Sequence, residues 1–399
     1  MAKVLISFLG TAQPESREYR KAKYHFSNDE EYEFSFIAKA LSLHYQVDKI
    51  ILIGTVKSMW EEVYRQFAED KNCLAENVYL ELSDFCKSAT HESLLELPHK
   101  KDIEDVLGNN LKILLIKYGL NEKEINDNSY QILSLEQYLN NNDELYVDIT
   151  HSFRSLPLFL MNSLIYLQNV SQLKIAIKSI TYGMLDISRE MGYTPVVELN
   201  ELLRTNEWIS GAYSFMEFGD AYKIANLLSE MGYKDISSRL TNFSDAINLN
   251  YFDAIEKQVQ ELQAFRKKEI PPIAQMVVMP IVDNFIKEFA NCETCSKFQY
   301  KLALWHYERH NYASAFIVLA ESIVSYACET SDLDEKLRKD REKVKKELRE
   351  NQKFSNVRKV YSDINNIRNQ VAHNLQGEKS SEQMLSVIRM AFEYLKEVI

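Results

Sequence analysis

Asp148-Ile149-Thr150-His151-Ser152-Phe153-Arg154-Ser155-Leu156-Pro157 joins an apolar, β-rich run over 144–150 to a helical pattern over 155–167. Five polar side chains meet the free N–H groups of a helix start at one strand end, a combination that favours an anion. Strand-loop-helix is the reading that decides the fold, because the same alternation recurs upstream. Strands are predicted over 4–9, 49–54, 77–82, 111–118, 144–150 and 174–183, with helices over 33–45, 58–68 and 155–167. That pattern is a Rossmann-like, doubly wound α/β domain, in which ligands bind beyond the carboxyl ends of the strands.

Two other strand ends carry the same kind of turn. Phe8-Leu9-Gly10-Thr11-Ala12-Gln13 and Ile53-Gly54-Thr55-Val56-Lys57-Ser58 each run from a strand into Gly-Thr. Glycine permits a close backbone approach, and threonine offers a hydroxyl to a phosphate or ribose. Ser58 reads as an N-cap of the helix that follows. Neither turn is a G-x-G-x-x-G fingerprint, and no Walker lysine is present. A His151-Ser152 hydrolase pair is the weaker reading of the third loop: adjacent residues seldom face each other, there is no G-x-S-x-G elbow, and no third member is placed.

The chain has 399 residues, too many for most single cores, so two domains are expected, over 1–195 and 196–399. Its 46% hydrophobic and 26% charged residues, with 10 Gly and 7 Pro, describe a compact, helix-rich protein. Five cysteines lack a framework spacing and the N-terminus already reads as a strand at Val4, which sets the expectation of a reduced, cytoplasmic protein. No apolar run approaches the ~20 residues of a membrane span, so no membrane is expected as a partner. The net charge of −11 argues against an extended duplex-binding surface. Residues 336–368 depart from that balance, with 12 basic against 5 acidic side chains. Such a run is usually a solvated helix face, and it also offers a phosphate track to a single strand.

After Pro195 strand signals fade, and helices are predicted over 199–231, 235–268, 273–290, 297–309, 312–328, 334–352, 356–373 and 381–398. Gly232, Pro271-Pro272, Asn311 and Leu375-Gln376-Gly377 supply the breaks. Cys292 and Cys295 form a C-x-x-C without two further ligands at similar spacing, so no metal site is expected and two buried thiols are. The aromatic residues between Leu302 and Phe316 read as core. In the helix over 356–373, Val357, Val360, Ile364, Ile367, Val371 and Leu375 form one apolar stripe, while Asn365, Asn369 and His373 lie opposite. An exposed polar face of a terminal helix explains this. So does an RNA-cleaving site, with an imidazole to move protons at neutral pH and Arg368 to hold a phosphate that gains charge.

Arg368-Asn369-x-x-x-His373 resembles the R-N-x-x-x-H signature of HEPN ribonucleases. Phe8-Leu9-Gly10-Thr11, Gly54-Thr55 with Ser58-Met59-Trp60, the long motif over 148–157 and Thr181-Tyr182-Gly183 resemble successive landmarks of a CARF domain, with Ser152 where the family shows Gly. The resemblance spans most of the chain and is least specific between about residues 200 and 290. It implies a CARF sensor followed by a helical HEPN effector, of the kind associated with type III CRISPR defence. It further implies a homodimer, or a higher assembly, that binds a cyclic tetra- or hexa-adenylate as allosteric activator and takes single-stranded RNA as substrate, with no cofactor. Ligand contacts then fall on Gly10, Thr11, Ala12, Gly54, Thr55, Ser58, Thr150, His151, Ser152, Phe153 and Arg154. Catalysis falls on Arg368, Asn369 and His373, in a pocket expected where two such helices meet at the dimer axis, whereas His306 and His310 lie in the segment that precedes the catalytic helix. Two rivals remain: a sensing adaptor or regulator without nuclease activity, and an enzyme that degrades its own cyclic ligand through Thr11, Ser152 or Arg154.

Overall fold

The computed structural model describes residues 1–12, 18–108, 110–151, 153–266, 269–373 and 379–399, with the backbone alone at 264, 265 and 373. Gln13, Ser152, Leu375, Gln376 and Gly377 therefore lie outside the described residues. The chain divides into two compact units, Met1–Leu203 and Arg204–Ile399.

The first unit is built on eight strands: β1 (Lys3–Phe8), β2 (Ala22–His25), β3 (Glu31–Phe34), β4 (Lys49–Gly54), β5 (Leu111–Leu115), β6 (Glu144–Asp148), β7 (Ala176–Gly183) and β8 (Thr194–Glu198). They form one sheet in the order β3-β2-β8-β7-β6-β1-β4-β5. From β7 to β5 every pairing is parallel. Taken in chain order, those five strands have the 3-2-1-4-5 arrangement of a Rossmann-like sheet. The apolar runs arise because both faces are covered: Val4, Ile6 and Phe8 point into one core and Leu5 into the other.

The other three strands make the sheet mixed, since β8 is antiparallel to β7 and β3 is antiparallel to β2. Their short, charged sequences carry little strand signal, and β3 occupies the start of the helix expected over 33–45, which begins at Ile37. Pro195, after which strand signals fade in the sequence, sits within β8. The strand expected over 77–82 is instead the helix Glu76–Ser88. Val78, Leu80 and Leu82 alternate like a strand, yet the buried set is Val78, Leu82, Ser83 and Cys86, a helical period that a six-residue window does not reveal.

The second unit is helical among its described residues. The helices Cys295–Glu308 and Tyr312–Thr330 pack along each other at its centre, and Ser355–His373 packs on Tyr312–Thr330. Thr294 caps the first of these by accepting from Lys297 N at 3.2 Å, and Ser380 with Gln383 forms a capping box on Ser381–Leu395. Phe215 stacks on Phe285, which packs tilted against Trp305; of the aromatic residues expected in the core, Trp305 and Phe316 are buried, whereas Tyr307 and Tyr312 are only half-buried. His306 is buried with them, and burial lowers its pKa to about 4. Tyr312–Thr330 is long and apolar enough to cross a bilayer, which corrects the sequence reading that no run approaches that length; 61% of its apolar window is buried inside the unit, as in a core helix. Cys292 and Cys295 are half-buried rather than buried.

Candidate functional site

The carboxyl ends of β1, β4 and β6 open into a cleft of about 280 Å³. β1 is paired on one side with β6 and on the other with β4, so the cleft sits where the strand order reverses. Gly10, Thr11, Gly54, Thr55, Ser58, Thr150, His151 and Phe153 line it, with Phe8, Leu9, Ile53, Ile116 and Leu156 as an apolar wall. Eight of the expected contact residues are thus brought to one place. Ala12 lies instead with Thr11 in an adjoining cavity of about 490 Å³, beside Tyr19, Lys57, Glu61, Cys86 and Lys87. Arg154 is exposed and lines neither cavity, and Ser152 is outside the described residues.

Within the cleft the polar groups divide into scaffold and free atoms. Ser58 is not an N-cap: the helix Trp60–Asp70 has no side-chain cap. Its buried hydroxyl donates to Leu9 O at 2.8 Å and accepts from Thr55 N at 3.1 Å, which ties the end of β1 to the end of β4. Asp148 is fully buried and accepts from Ser7 Oγ at 2.6 Å, Thr150 N at 3.0 Å and Thr150 Oγ1 at 2.5 Å. Burial raises its pKa to about 6 against those stabilising hydrogen bonds. Thr150 Oγ1 also accepts from Gly183 N at 2.7 Å, so this hydroxyl fixes the loop. By contrast Thr55 Oγ1 and His151 Nε2 are buried and have no hydrogen-bond partner among the described residues. Burial holds the His151 imidazole below its ordinary pKa, leaving it neutral at pH 7. A Cβ on Gly10 would come within 3.2 Å of the His151 ring, so the glycine is what lets that ring lie against the turn.

Sequence reasoning missed the cations of the adjoining cavity. Lys57 stood within a quoted turn, but its spacing gave no sign that it would share a cavity with Lys87. Tyr19 donates to Glu61 Oε1 at 2.6 Å there, and burial pushes both the Glu61 carboxyl and the Cys86 thiol up.

In the second unit Val357, Ile364 and Ile367 are buried as the stripe requires, but Val371 is 41% exposed. The last turn of the helix leaves the core, which the periodicity did not foretell. Arg368 is partly exposed, and its Nη1 donates to Asn369 Oδ1 at 3.0 Å. Its Nη2 lies 3.7 Å from Glu321 Oε1, while the other Glu321 oxygen accepts from Arg341. Glu321 and Arg341 are a pairing that only the fold reveals. His373 is the last residue of the helix, one turn after Asn369. His310 is exposed and His306 buried, and neither shares a hydrogen bond with Arg368. Among the described residues no group of three or more His, Cys, Asp or Glu side chains is placed to hold a metal ion.

Residues 4–186 match the family model of the CARF domain of the CRISPR system endoribonuclease Csx1. Residues 204–297 match that of the second domain of the CRISPR-associated protein MJ1674. These two spans end before Arg368. CRISPR-associated protein MJ1674 of Methanocaldococcus jannaschii is 33% identical over 94% of this chain, and the chain spans 62% of that relative's length. Among solved structures, Enterococcus italicus Csm6 bound to cyclic hexa-2′-fluoro-hexa-dAMP aligns with 100% of this chain and 96% of its own, at 14% identity and a TM-score of 0.38. That likeness is too loose to argue from. The CARF match over the very strands that build the cleft, followed directly by the MJ1674-type helices, makes the chain a CARF-containing CRISPR-associated protein.

Proposed function

We propose that this protein is a cyclic oligoadenylate-activated endoribonuclease of type III CRISPR defence, working in the cytoplasm as a homodimer or a larger assembly. On this reading the cleft of the first unit takes the phosphates and bases of a cyclic tetra- or hexa-adenylate. The two buried atoms without partners, Thr55 Oγ1 and His151 Nε2, fit a polar ligand that completes them, and the glycine turns allow its close approach. Leu158, 67% exposed, and Phe153, 43% exposed, leave apolar surface beside the loop that a second copy fits.

Cleavage is assigned to the end of the helix Ser355–His373. The substrate's 2′-oxygen attacks the adjacent phosphorus, the bond to the 5′-oxygen breaks, and the products are a 2′,3′-cyclic phosphate and a 5′-OH. His373 moves the proton between these oxygens, and Arg368 stabilises the charge gained by the phosphate. The observation that carries the reading is the Arg368 guanidinium, oriented by Asn369 at 3.0 Å and by the Glu321 carboxylate, at a half-exposed helix end. Such anchoring is preorganisation for an anion.

The test is a titration with cyclic tri-, tetra- and hexa-adenylate while a fluorescent single-stranded RNA reporter is followed, with and without chelator. One ring size should activate, in chelator as well, and a hundredfold rise corresponds to roughly 2.7 kcal/mol of differential affinity between resting and active states. His373→Ala and Arg368→Ala should abolish cleavage and keep ligand binding. Cleavage indifferent to every ring, or near wild-type cleavage by either variant, overturns the assignment.

A further inference from the structure

The helices Arg338–Glu350 and Ser355–His373 border a further, open cavity of about 290 Å³, on the same helix as Arg368 but toward its start. Its lining includes Arg349, Arg358, Ser362, Asn365 and Asn366. Arg358 is partly committed, donating through Nε to Leu348 O at 3.3 Å and through Nη2 to Asn351 O at 2.7 Å, which satisfies carbonyls at the end of the preceding helix. The side chains of Arg349, Ser362, Asn365 and Asn366 make no hydrogen bond or ion pair among the described residues. Arg349, Ser362 and Asn366 are exposed and Asn365 is half-buried, so their donors and acceptors face water and are open to a ligand.

Its position relative to Arg368 follows from helix geometry. Arg358, Ser362, Asn365 and Asn369 are spaced i, i+4, i+7 and i+11, so they share one face of Ser355–His373. At 1.5 Å per residue Asn365 lies about 6 Å, and Arg358 about 16 Å, before Asn369 along the axis. A strand held at Arg368 reaches that cavity with its next few nucleotides. The cavity also sits inside the segment 336–368, with 12 basic and 5 acidic residues, so the local field favours a polyanion.

We propose that this cavity is a flanking-nucleotide subsite for single-stranded RNA, in which Arg349 binds a phosphate next to the scissile one and Asn365 and Asn366 meet a base edge or ribose. The amides supply both donors and acceptors, as a base edge requires, and the guanidinium supplies the charge. The inference rests on the ribonuclease reading of Arg368 and adds to it a basis for substrate length and sequence preference.

Arg349 is exposed and unpaired, so Arg349→Ala should fold as the wild type does. With the activating ring present, kcat/KM is measured for a 12-nucleotide RNA and for a dinucleotide. The preference for the longer substrate should fall roughly five- to tenfold, through KM, with Arg349→Lys recovering most of it. Affinity for an uncleavable 2′-O-methyl RNA, read by anisotropy, should lose about 0.7 from its log-log salt slope. An unchanged preference and slope overturn the subsite, and a fall in kcat shared equally by both substrates also overturns it by placing Arg349 at the reacting phosphate. Wild-type protein that binds the 2′-O-methyl RNA with the expected slope difference yet cleaves nothing leaves the subsite standing and removes the ribonuclease reading.

Discussion

Gly54→Ala separates a turn that merely contains glycine from one that cannot hold anything else. A Cβ there would meet Ser58 Oγ at 2.7 Å and Trp60 Cζ2 at 2.8 Å, closer than such atoms approach. Neither neighbour can yield: the Trp60 ring is fully buried and its Nε1 donates to Thr55 O at 2.8 Å, while Ser58 Oγ bridges Leu9 O and Thr55 N. Overpacking of this kind costs about 1–3 kcal/mol. If the serine hydroxyl is pushed away, Leu9 O and Thr55 N lose a partner, at about 1–3 kcal/mol more. For a domain of this size each kcal/mol shifts the melting temperature by about 2–4 °C, so a fall of roughly 4–24 °C is expected in the first unit's transition by scanning calorimetry. Cyclic oligoadenylate affinity should fall with it, because the same hydroxyl ties the ends of β1 and β4 under the cleft. Gly10→Ala supplies the contrast: its nearest neighbours are the His151 Cβ and ring atoms at 3.2–3.3 Å, which must give by only a few tenths of an ångström. That variant should lose affinity with a smaller stability loss. A Gly54→Ala protein melting within 1 °C of the wild type would refute the reasoning.

Two further expectations follow from charge. Asp148 has its pKa raised by burial to about 6 from an ordinary 3.8, so the folded chain holds that proton where the unfolded chain has released it. Its contribution to stability therefore declines as pH rises from about 4 to about 6, by up to ~3 kcal/mol, and the wild-type minus Asp148→Asn difference in unfolding free energy should track that decline; a difference flat across pH 4–7 would show the buried charge to be fully compensated. Arg154 is exposed outside the cleft lining, so Arg154→Glu should weaken cyclic oligoadenylate binding through the field, with a loss that shrinks in higher salt; calorimetry showing unchanged affinity at low salt would exclude that.

The parts of this chain legible in advance are those written as local periodicity. β4 is legible with its observed ends because Ile50–Ile53 is an uninterrupted apolar run bracketed by Lys49 and Gly54, and both faces of the sheet are covered. The helix Ser355–His373 announced itself by an apolar stripe, and Tyr312–Thr330 by a long apolar run after the break at Asn311. Where the pattern is short it misleads: β2 and β3 have four residues each, with Lys23, Glu31 and Glu33 among them, and are defined by the ladder between them rather than by their composition. The cleft was legible for the same reason as the strands, since each of its turns directly follows one. What a hydroxyl does there was not. Thr55 and Thr150 look alike in sequence, yet one is left without a partner and the other is claimed by Asp148 and Gly183.

The arginine site marks the limit more sharply. Its period placed Val371 in the core, and the helix instead exposes it, so the turn that carries Asn369 and His373 projects beyond the packing that fixes Ile364 and Ile367. An arginine proposed to meet a scissile phosphate on such a turn needs an anchor from elsewhere. Glu321 supplies it from Tyr312–Thr330, holding Arg341 with one oxygen and approaching Arg368 Nη2 with the other at 3.7 Å, longer than a hydrogen bond. A carboxylate at that distance orients the guanidinium without saturating it, and Asn369 takes only one of the remaining donors. The geometry therefore leaves Arg368 aimed but not satisfied, the condition under which an incoming phosphate gains most from meeting it.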